Sequence, residues 1–236
     1  MKLLIDIGNT SSKMAVTQGD DVLHMERLAE PWATALERLH RDYAIDATLV
    51  SCVGREGPAL REALAARGDS ALWLAHDTPC AIGGVPAGYG ADRLAADIGA
   101  YTGQHALLVI DAGTCITYDL IIDGRLAGGV ISPGVQLRLN AMHDYTALLP
   151  QIEAPQASAA TAGQPAVALM ADDTEGCMLS AALHGVDFEA EGYVRALRQE
   201  YPDLCVVTTG GNRLNIANDL PHTYDPLLVL RGLNKL

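Results

Sequence analysis

Apolar and polar positions come in blocks along this chain, and the blocks repeat. Residues 3–16 read Leu-Leu-Ile-Asp-Ile-Gly-Asn-Thr-Ser-Ser-Lys-Met-Ala-Val, and residues 107–120 read Leu-Leu-Val-Ile-Asp-Ala-Gly-Thr-Cys-Ile-Thr-Tyr-Asp-Leu. Each is an apolar strand, an Asp-x-Gly turn, a threonine, and a second strand. A polar turn follows each second strand, Gly19-Asp20-Asp21 in one case and Asp123-Gly124 in the other. Asp-Gly between apolar runs is a strong hairpin signal. Third strands are expected at about 22–28 and 126–132. Each half therefore opens with a three-stranded antiparallel meander.

Helical and strand periods then alternate. Pro31 to Asp42 carries Trp32, Leu36 and Leu39 on one helical face, Ala47 to Val53 reads as a buried strand, and Pro58 to Arg67 as a helix with proline in its first turn. Ala71 to Ala75 reads as a short strand and Ala91 to Tyr101 as a helix. In the second half, helices are expected at Pro133 to Asp144 and at Asp173 to Glu200, the latter broken near Gly185 or Gly192. A strand at Leu204 to Val207 and short helices at Arg213 to Ala217 and Pro226 to Leu233 complete the reading. Residues 151–168, rich in Ala, Gln and Pro, read as an exposed loop. The expected architecture is two similar α/β lobes, 1–103 and 104–236, each of ordinary domain size.

Composition narrows the function. Of 236 residues, 49% are hydrophobic and 19% charged, which supports a packed core and excludes a disordered chain. No stretch approaches the length of a membrane span, and Asp6 arrives too early for a signal peptide. The net charge of −13 repels nucleic acid and anionic lipid, so neither is an expected partner. Phosphate bound by so acidic a chain needs a cation and backbone N–H groups. The five cysteines form no Cys-x-x-Cys pair and suit reduced thiols in a cytoplasmic protein.

The repeated turn carries the chemistry. A carboxylate at the end of a buried strand is costly unless it meets a cation or donors. In Asp6-Ile7-Gly8-Asn9-Thr10-Ser11-Ser12-Lys13, glycine permits close approach, and the hydroxyls, amide and free N–H groups suit a phosphate. An Asx-turn would explain one such copy; a second, at Asp111-Ala112-Gly113-Thr114, favours a ligand. Two such turns can together hold a nucleoside triphosphate with its counter-ions, and phosphoryl transfer needs little beyond positioning, charge neutralisation and a proton acceptor. Thr208-Thr209-Gly210-Gly211-Asn212 follows a strand and offers a third close-approach turn. Gly90-Ala91-Asp92-Arg93 opens a helix, where Asp92 is either a first-turn acid or a base for a hydroxyl, and Arg93 can pair an anionic group. There is no P-loop, no Gly-x-Gly-x-x-Gly, no Gly-x-Ser-x-Gly and no His-Glu-x-x-His.

The Asp6-x-Gly-Asn-Thr turn is similar to the first phosphate motif of the actin, hexokinase and heat-shock ATPase superfamily. Joined with Gly90-Ala91-Asp92-Arg93, Asp111-Ala112-Gly113-Thr114 and Gly128-Gly129-Val130-Ile131-Ser132-Pro133-Gly134, it resembles the type III pantothenate kinases over nearly the whole chain. The resemblance implies two ribonuclease-H-like lobes with mixed sheets flanked by helices. It implies ATP-dependent phosphorylation of pantothenate, the first step toward coenzyme A, in a cytoplasmic homodimer. It places Asp6 to Lys13 on the ATP phosphates with Asp6 near Mg2+, Gly90 to Arg93 on pantothenate with Asp92 as general base, and Asp111 on a monovalent cation, K+ or NH4+. Thr114 becomes an ATP contact and Thr174 a pantothenate contact. The chain departs from the family pattern at Asp173, where an asparagine is common, and at Ser180-Ala181-Ala182, where Ser-Gly is usual. A tyrosine usual several residues before Gly90 has no counterpart, and Tyr89 stands immediately before it. Two other readings keep the fold: a non-catalytic regulatory relative, and a kinase or phosphohydrolase of another small substrate.

Overall fold

The computed structural model describes residues 1–155, 167–212 and 214–236. The chain forms two compact units, one of Met1–Gln104, Ile121–Ala127 and Leu227–Leu236, the other of His105–Leu120 and Gly128–Pro226. The first change of unit falls one residue beyond the expected lobe boundary, and the last ten residues return to the first unit.

The first unit runs β1 (Lys2–Ile7), β2 (Ser12–Gln18), β3 (Asp21–Arg27), α1 (Trp32–Asp42), β4 (Ala47–Cys52), α2 (Gly57–Arg67), β5 (Leu72–Trp73) and α3 (Ala91–Ala100). Its sheet has the order β3-β2-β1-β4-β5, with β1 antiparallel to β2 and parallel to β4. Period-two alternation puts Leu3, Ile5, Ile7, Met14 and Val16 on one face, where Trp32, Leu36 and Leu39 of α1 and Leu60 and Leu64 of α2 bury them. The amphipathic spacing read in the sequence is the cause of that packing.

The second unit runs β6 (Ala106–Ala112), β7 (Cys115–Ile122), β8 (Arg125–Pro133), α4 (Val135–Asp144), α5 (Thr174–Glu200), β9 (Cys205–Thr209) and β10 (Thr223–Tyr224). Its sheet order, β10-β9-β6-β7-β8, repeats that of the first unit strand for strand. The internal echo in the sequence is thus a duplicated topology, two mixed sheets flanked by helices. The β7–β8 turn uses φ of 48° at Asp123 and 71° at Gly124, the geometry for which Asp-Gly is suited. The tip of that hairpin belongs to the first unit, where Gly83 N–H donates to Gly124 O (2.8 Å) and Leu126 N–H to Gly83 O (2.9 Å).

The final helix, α6 (Leu228–Asn234), packs on β1, β4 and α3 of the first unit. The α3–α6 crossing is so close that a Cβ on Gly232 would collide with the Ala95 carbonyl. Lys235 Nζ then donates to the carbonyls of Ile98 (2.9 Å), Gly99 (2.8 Å) and Tyr101 (3.0 Å), closing the end of α3 where helix carbonyls lack partners.

Three expectations are corrected. Helix α5 is continuous through Gly185 and Gly192, because Met178, Ala182, Val186, Ala190 and Val194 bury a stripe along it. A glycine costs a helix only about 1 kcal/mol, less than that packing returns. Helix α4 starts at Val135 rather than Pro133, since Pro133 ends β8 and Gly134 N–H is held by Thr114 O. No helix forms over 214–217, where Asp187 and Glu191 of α5 instead accept from the backbone N–H groups of Asn215 and Ala217 and hold the segment against that helix. Arg213 and residues 156–166 of the expected loop lie outside the described residues; positions 151–155 have no regular structure.

Candidate active site

The end of β1 holds the first acidic turn. Asp6 lies opposite Lys13 on β2 and opposite Ser51 on β4. Its Oδ1 and the Ser51 Oγ are both enclosed, close enough for Ser51 to support the carboxylate. Burial pushes the Asp6 carboxyl up to about 6; Lys13 and Ser51 oppose the rise, and the charge of Asp92 adds to it. The carboxylates of β1 and of the α3 N-terminus are therefore near enough to repel each other.

The turn itself is shaped by backbone. Gly8 N–H donates to Ser11 O (3.1 Å), and Ile7 O accepts from both Val53 and Gly54 N–H (2.9 and 3.0 Å). Gly54 lies against the Gly8 carbonyl with no room for a Cβ. Ile7 and Ser12 turn inward and are buried, Ser11 and Lys13 are half-buried, and Asn9 and Thr10 are exposed. The loop thus presents amide and hydroxyl groups while Ile7 anchors it from below.

At α3, Gly90 is the extended N-cap residue and Asp92 an acid of the first turn. Asp92 Oδ1 accepts from Arg93 N–H at 2.8 Å. A Cβ on Gly90 would sit 2.7 Å from that same Oδ1, so glycine leaves the carboxylate its place. Ala91 is buried and Arg93 half-buried, its guanidinium 4.4 Å from the centre of the Tyr89 ring.

The second unit repeats the pattern. Asp111 ends β6 opposite Thr209 on β9, as Asp6 ends β1 opposite Ser51 on β4. Gly113 N–H donates to Cys115 O (2.9 Å), the counterpart of the Gly8–Ser11 bond. Asn212 holds the turn twice, N–H to Ala112 O and Nδ2 to Gly113 O, each 2.9 Å. Gly210 lies against the Ala112 backbone as Gly54 lies against Gly8. Thr114 is exposed at this turn. Thr174 is exposed on a different element, the first residue of α5, where Asp173 caps the helix by accepting from Gly176 N–H at 2.7 Å.

Of the residues expected from the sequence, Asp6, Lys13 and Asp92 form one charge cluster in the first unit, and Asp111 and Thr114 share one turn in the second. Sequence reading missed Ser51 and Asp97. Each had a signal: a serine at the C-terminal end of a buried parallel strand, where α/β sheets place ligands, and one acid among the alanines of α3.

The donor set fits a divalent ion carried by phosphate. Among the described residues no three His, Cys, Asp or Glu side chains gather into a metal cage. One enclosed carboxylate with an unused oxygen suits Mg2+, which keeps its waters and takes one or two carboxylates plus substrate phosphates.

Two mixed sheets of one strand order, each closing its first strand with an acidic turn, match the pair of similar lobes expected from the sequence. The family model for type III pantothenate kinase matches residues 2–196, and this chain belongs to that family. A type III pantothenate kinase of Phocaeicola vulgatus is 32% identical over 244 residues, 100% of this chain and 97% of its own. One from Porphyromonas gingivalis W83 is 32% identical over 249 residues, 99% and 96% of the two chains. Among solved structures, a Campylobacter jejuni protein described as a conserved Baf family transcriptional activator aligns with a TM-score of 0.57 at 20% identity, covering 99% of this chain and 96% of that one. A Sinorhizobium meliloti protein described as a 2-dehydro-3-deoxygalactonokinase aligns at 0.53 and 15%, covering 99% and 97%. These two share the fold. The chain is an enzyme, a phosphotransferase with an alcohol acceptor.

Proposed function

We propose that this enzyme transfers the γ-phosphoryl group of ATP to the primary hydroxyl of pantothenate, giving 4'-phosphopantothenate for coenzyme A synthesis. The observation that carries the reading is the enclosed Asp6 carboxyl beside the Gly8 turn, raised by burial and by the charge of Asp92 at the start of α3. One acid serves the nucleotide and the other the acceptor. Asp6 to Lys13 take the phosphates, with Lys13 balancing charge and Asp6, beside Ser51, holding the Mg2+ that neutralises phosphate oxygens. Asp92, in the first turn of α3, accepts the hydroxyl proton as the acceptor attacks. Arg93 pairs with the pantothenate carboxylate, and Gly90, Ala91 and Thr174 complete the acceptor's contacts. Thr114 of the second unit contacts nucleotide, and Asp111, opposite Thr209 in the strand register, holds K+ or NH4+. Acceptor-dependent ADP release tests the whole. Pantothenate should stimulate it in the wild type, and Asp92→Asn should lower turnover by about 10²–10⁴-fold while nucleotide still binds. Full turnover in Asp92→Asn removes the base assignment; absence of stimulation in the wild type removes the kinase reading and favours a binding protein.

The working form is inferred to be a cytoplasmic homodimer. Ser132, Arg138 and Glu189 join β8, α4 and α5 by hydrogen bonds, and their sequence neighbours Ile131, Leu137 and Phe188 are all exposed. Exposed apolar side chains on β8, α4 and α5 suit contact with a second copy of the chain.

A further inference from the structure

Two side chains to which the proposed reaction gives no role, Tyr89 and Asp97, stack with Arg93 on and beside α3. Arg93 and Asp97 are four residues apart, on one helical face. Tyr89 precedes the helix; its hydroxyl donates to Asp97 Oδ2 at 2.8 Å, and its ring lies 4.4 Å below the Arg93 guanidinium. Asp97 is fully buried, where a carboxylate needs donors such as the Tyr89 hydroxyl to offset its desolvation. Tyr89 stands between Gly88 and Gly90, two residues that fix its ring little by themselves.

We propose that Tyr89, tethered by Asp97, is a positioning residue that holds Arg93 ready for the acceptor's carboxylate and so sets the preference for an anionic acceptor. The inference rests on the assignment of Arg93 to that carboxylate. An arginine side chain is long and rotamer-rich, and each rotamer frozen on binding weakens the complex. A ring beneath the guanidinium fixes its plane beforehand, and a bidentate pair forms in that plane. Buried Asp97 in turn fixes the ring, so the chain of support runs from the helix core to the acceptor.

The test compares pantothenate with its uncharged primary amide as acceptors, in the full-length protein, for wild type, Arg93→Ala, Tyr89→Leu and Tyr89→Phe. The expected wild-type preference is for the carboxylate. Tyr89→Leu should raise the KM for pantothenate by about tenfold and leave the KM values for the amide and for ATP near wild type. Tyr89→Phe, which keeps the ring and loses the tether, should fall between wild type and Tyr89→Leu, and it carries the test alone should the leucine variant not fold. Preference unchanged in the Tyr89 variants but lost in Arg93→Ala overturns the positioning role only. Equal losses toward both acceptors in Tyr89→Leu also overturn it, since they mark a general anchor. Preference unchanged in Arg93→Ala overturns the inference together with the Arg93 assignment.

Discussion

A glycine and two carboxylates decide what the first unit can do. The 2.7 Å approach of a Gly90 Cβ to Asp92 Oδ1 means that Gly90→Ala has one cheap escape, rotation of the Asp92 side chain. The backbone there is ordinary extended N-cap geometry that alanine also adopts. We therefore expect Gly90→Ala to fold with a melting temperature close to wild type and to lose turnover by about tenfold or more through a displaced base. A variant with normal turnover would detach Asp92 from the chemistry. Asp6 makes the second residue-scale prediction. Its carboxyl titrates near 3.8 in an unfolded chain and near 6 in the folded protein. The folded state thus keeps a proton that the unfolded chain releases. The stability this group contributes is complete below about pH 3.8 and is lost as pH rises to about 6. Without ligands, Asp6→Asn should be more stable than wild type by about 1–3 kcal/mol at pH 8 and no more stable at pH 3.5, read from denaturant melts. Mg2+ with ATP should raise the wild-type melting temperature at pH 8 far more than that of Asp6→Asn. Equal wild-type and variant stability at pH 8 would show that the buried carboxylate carries no such cost.

Strands and turns were the legible elements, and helix ends the less legible ones, for a common reason. The β1–β2 and β6–β7 units declare themselves through strand alternation and a turn chemistry few residues satisfy. Asp123-Gly124 marks its hairpin because two left-handed residues in succession exclude most side chains. What the sequence hid depends on partners distant in the chain. The stretch 214–217 has helix-forming residues, but carboxylates of α5 hold it by its backbone N–H groups. Continuity of α5 comes from a buried stripe that outweighs two glycines. Ser51 and Asp97 were passed over because a single polar residue inside an apolar element gains meaning only when its neighbour, Asp6 or Tyr89, is known. The β4–α2 turn offers the test at this scale. Gly54 lies against the Gly8 carbonyl, where the obstacle is backbone and not a side chain that can swing away. Gly54→Ala must push the two turns apart. It should weaken nucleotide binding by about tenfold or more, measured by calorimetry, whereas Gly192→Ala, with open space around it inside α5, should leave nucleotide affinity at wild type. Equal affinities in both variants would mean that the Gly8 turn does not grip phosphate.

At the scale of the whole chain, the duplicated topology is completed by an exchange: the last ten residues join the first unit instead of the second. Helix α6 meets α3 along glycine and alanine, and α3 is the element that carries Asp92 and Arg93 at its other end. The C-terminus therefore supports the helix proposed to bind the acceptor, from more than a hundred residues away in sequence. Gly232 is where that support is tightest, with the Ala95 carbonyl in the way of any Cβ and Gly99 N at 3.0 Å. Alanine there can be accommodated only if α3 and α6 separate, which exposes Leu94, Ile98, Leu230 and Leu233, all buried now. We expect Gly232→Ala to cost about 1–3 kcal/mol or more, the range for core overpacking, and to lower kcat/KM for pantothenate in the fraction that remains folded. Gly192→Ala is the matched control, a glycine in the interior of α5 with nothing within 4 Å of its Cβ position. That change should leave activity alone and add up to about 1 kcal/mol of stability by removing backbone entropy from the unfolded chain. If the two variants behave alike in urea melts and in turnover, then α6 is only an appendage of the first unit and α3 holds its catalytic end unaided.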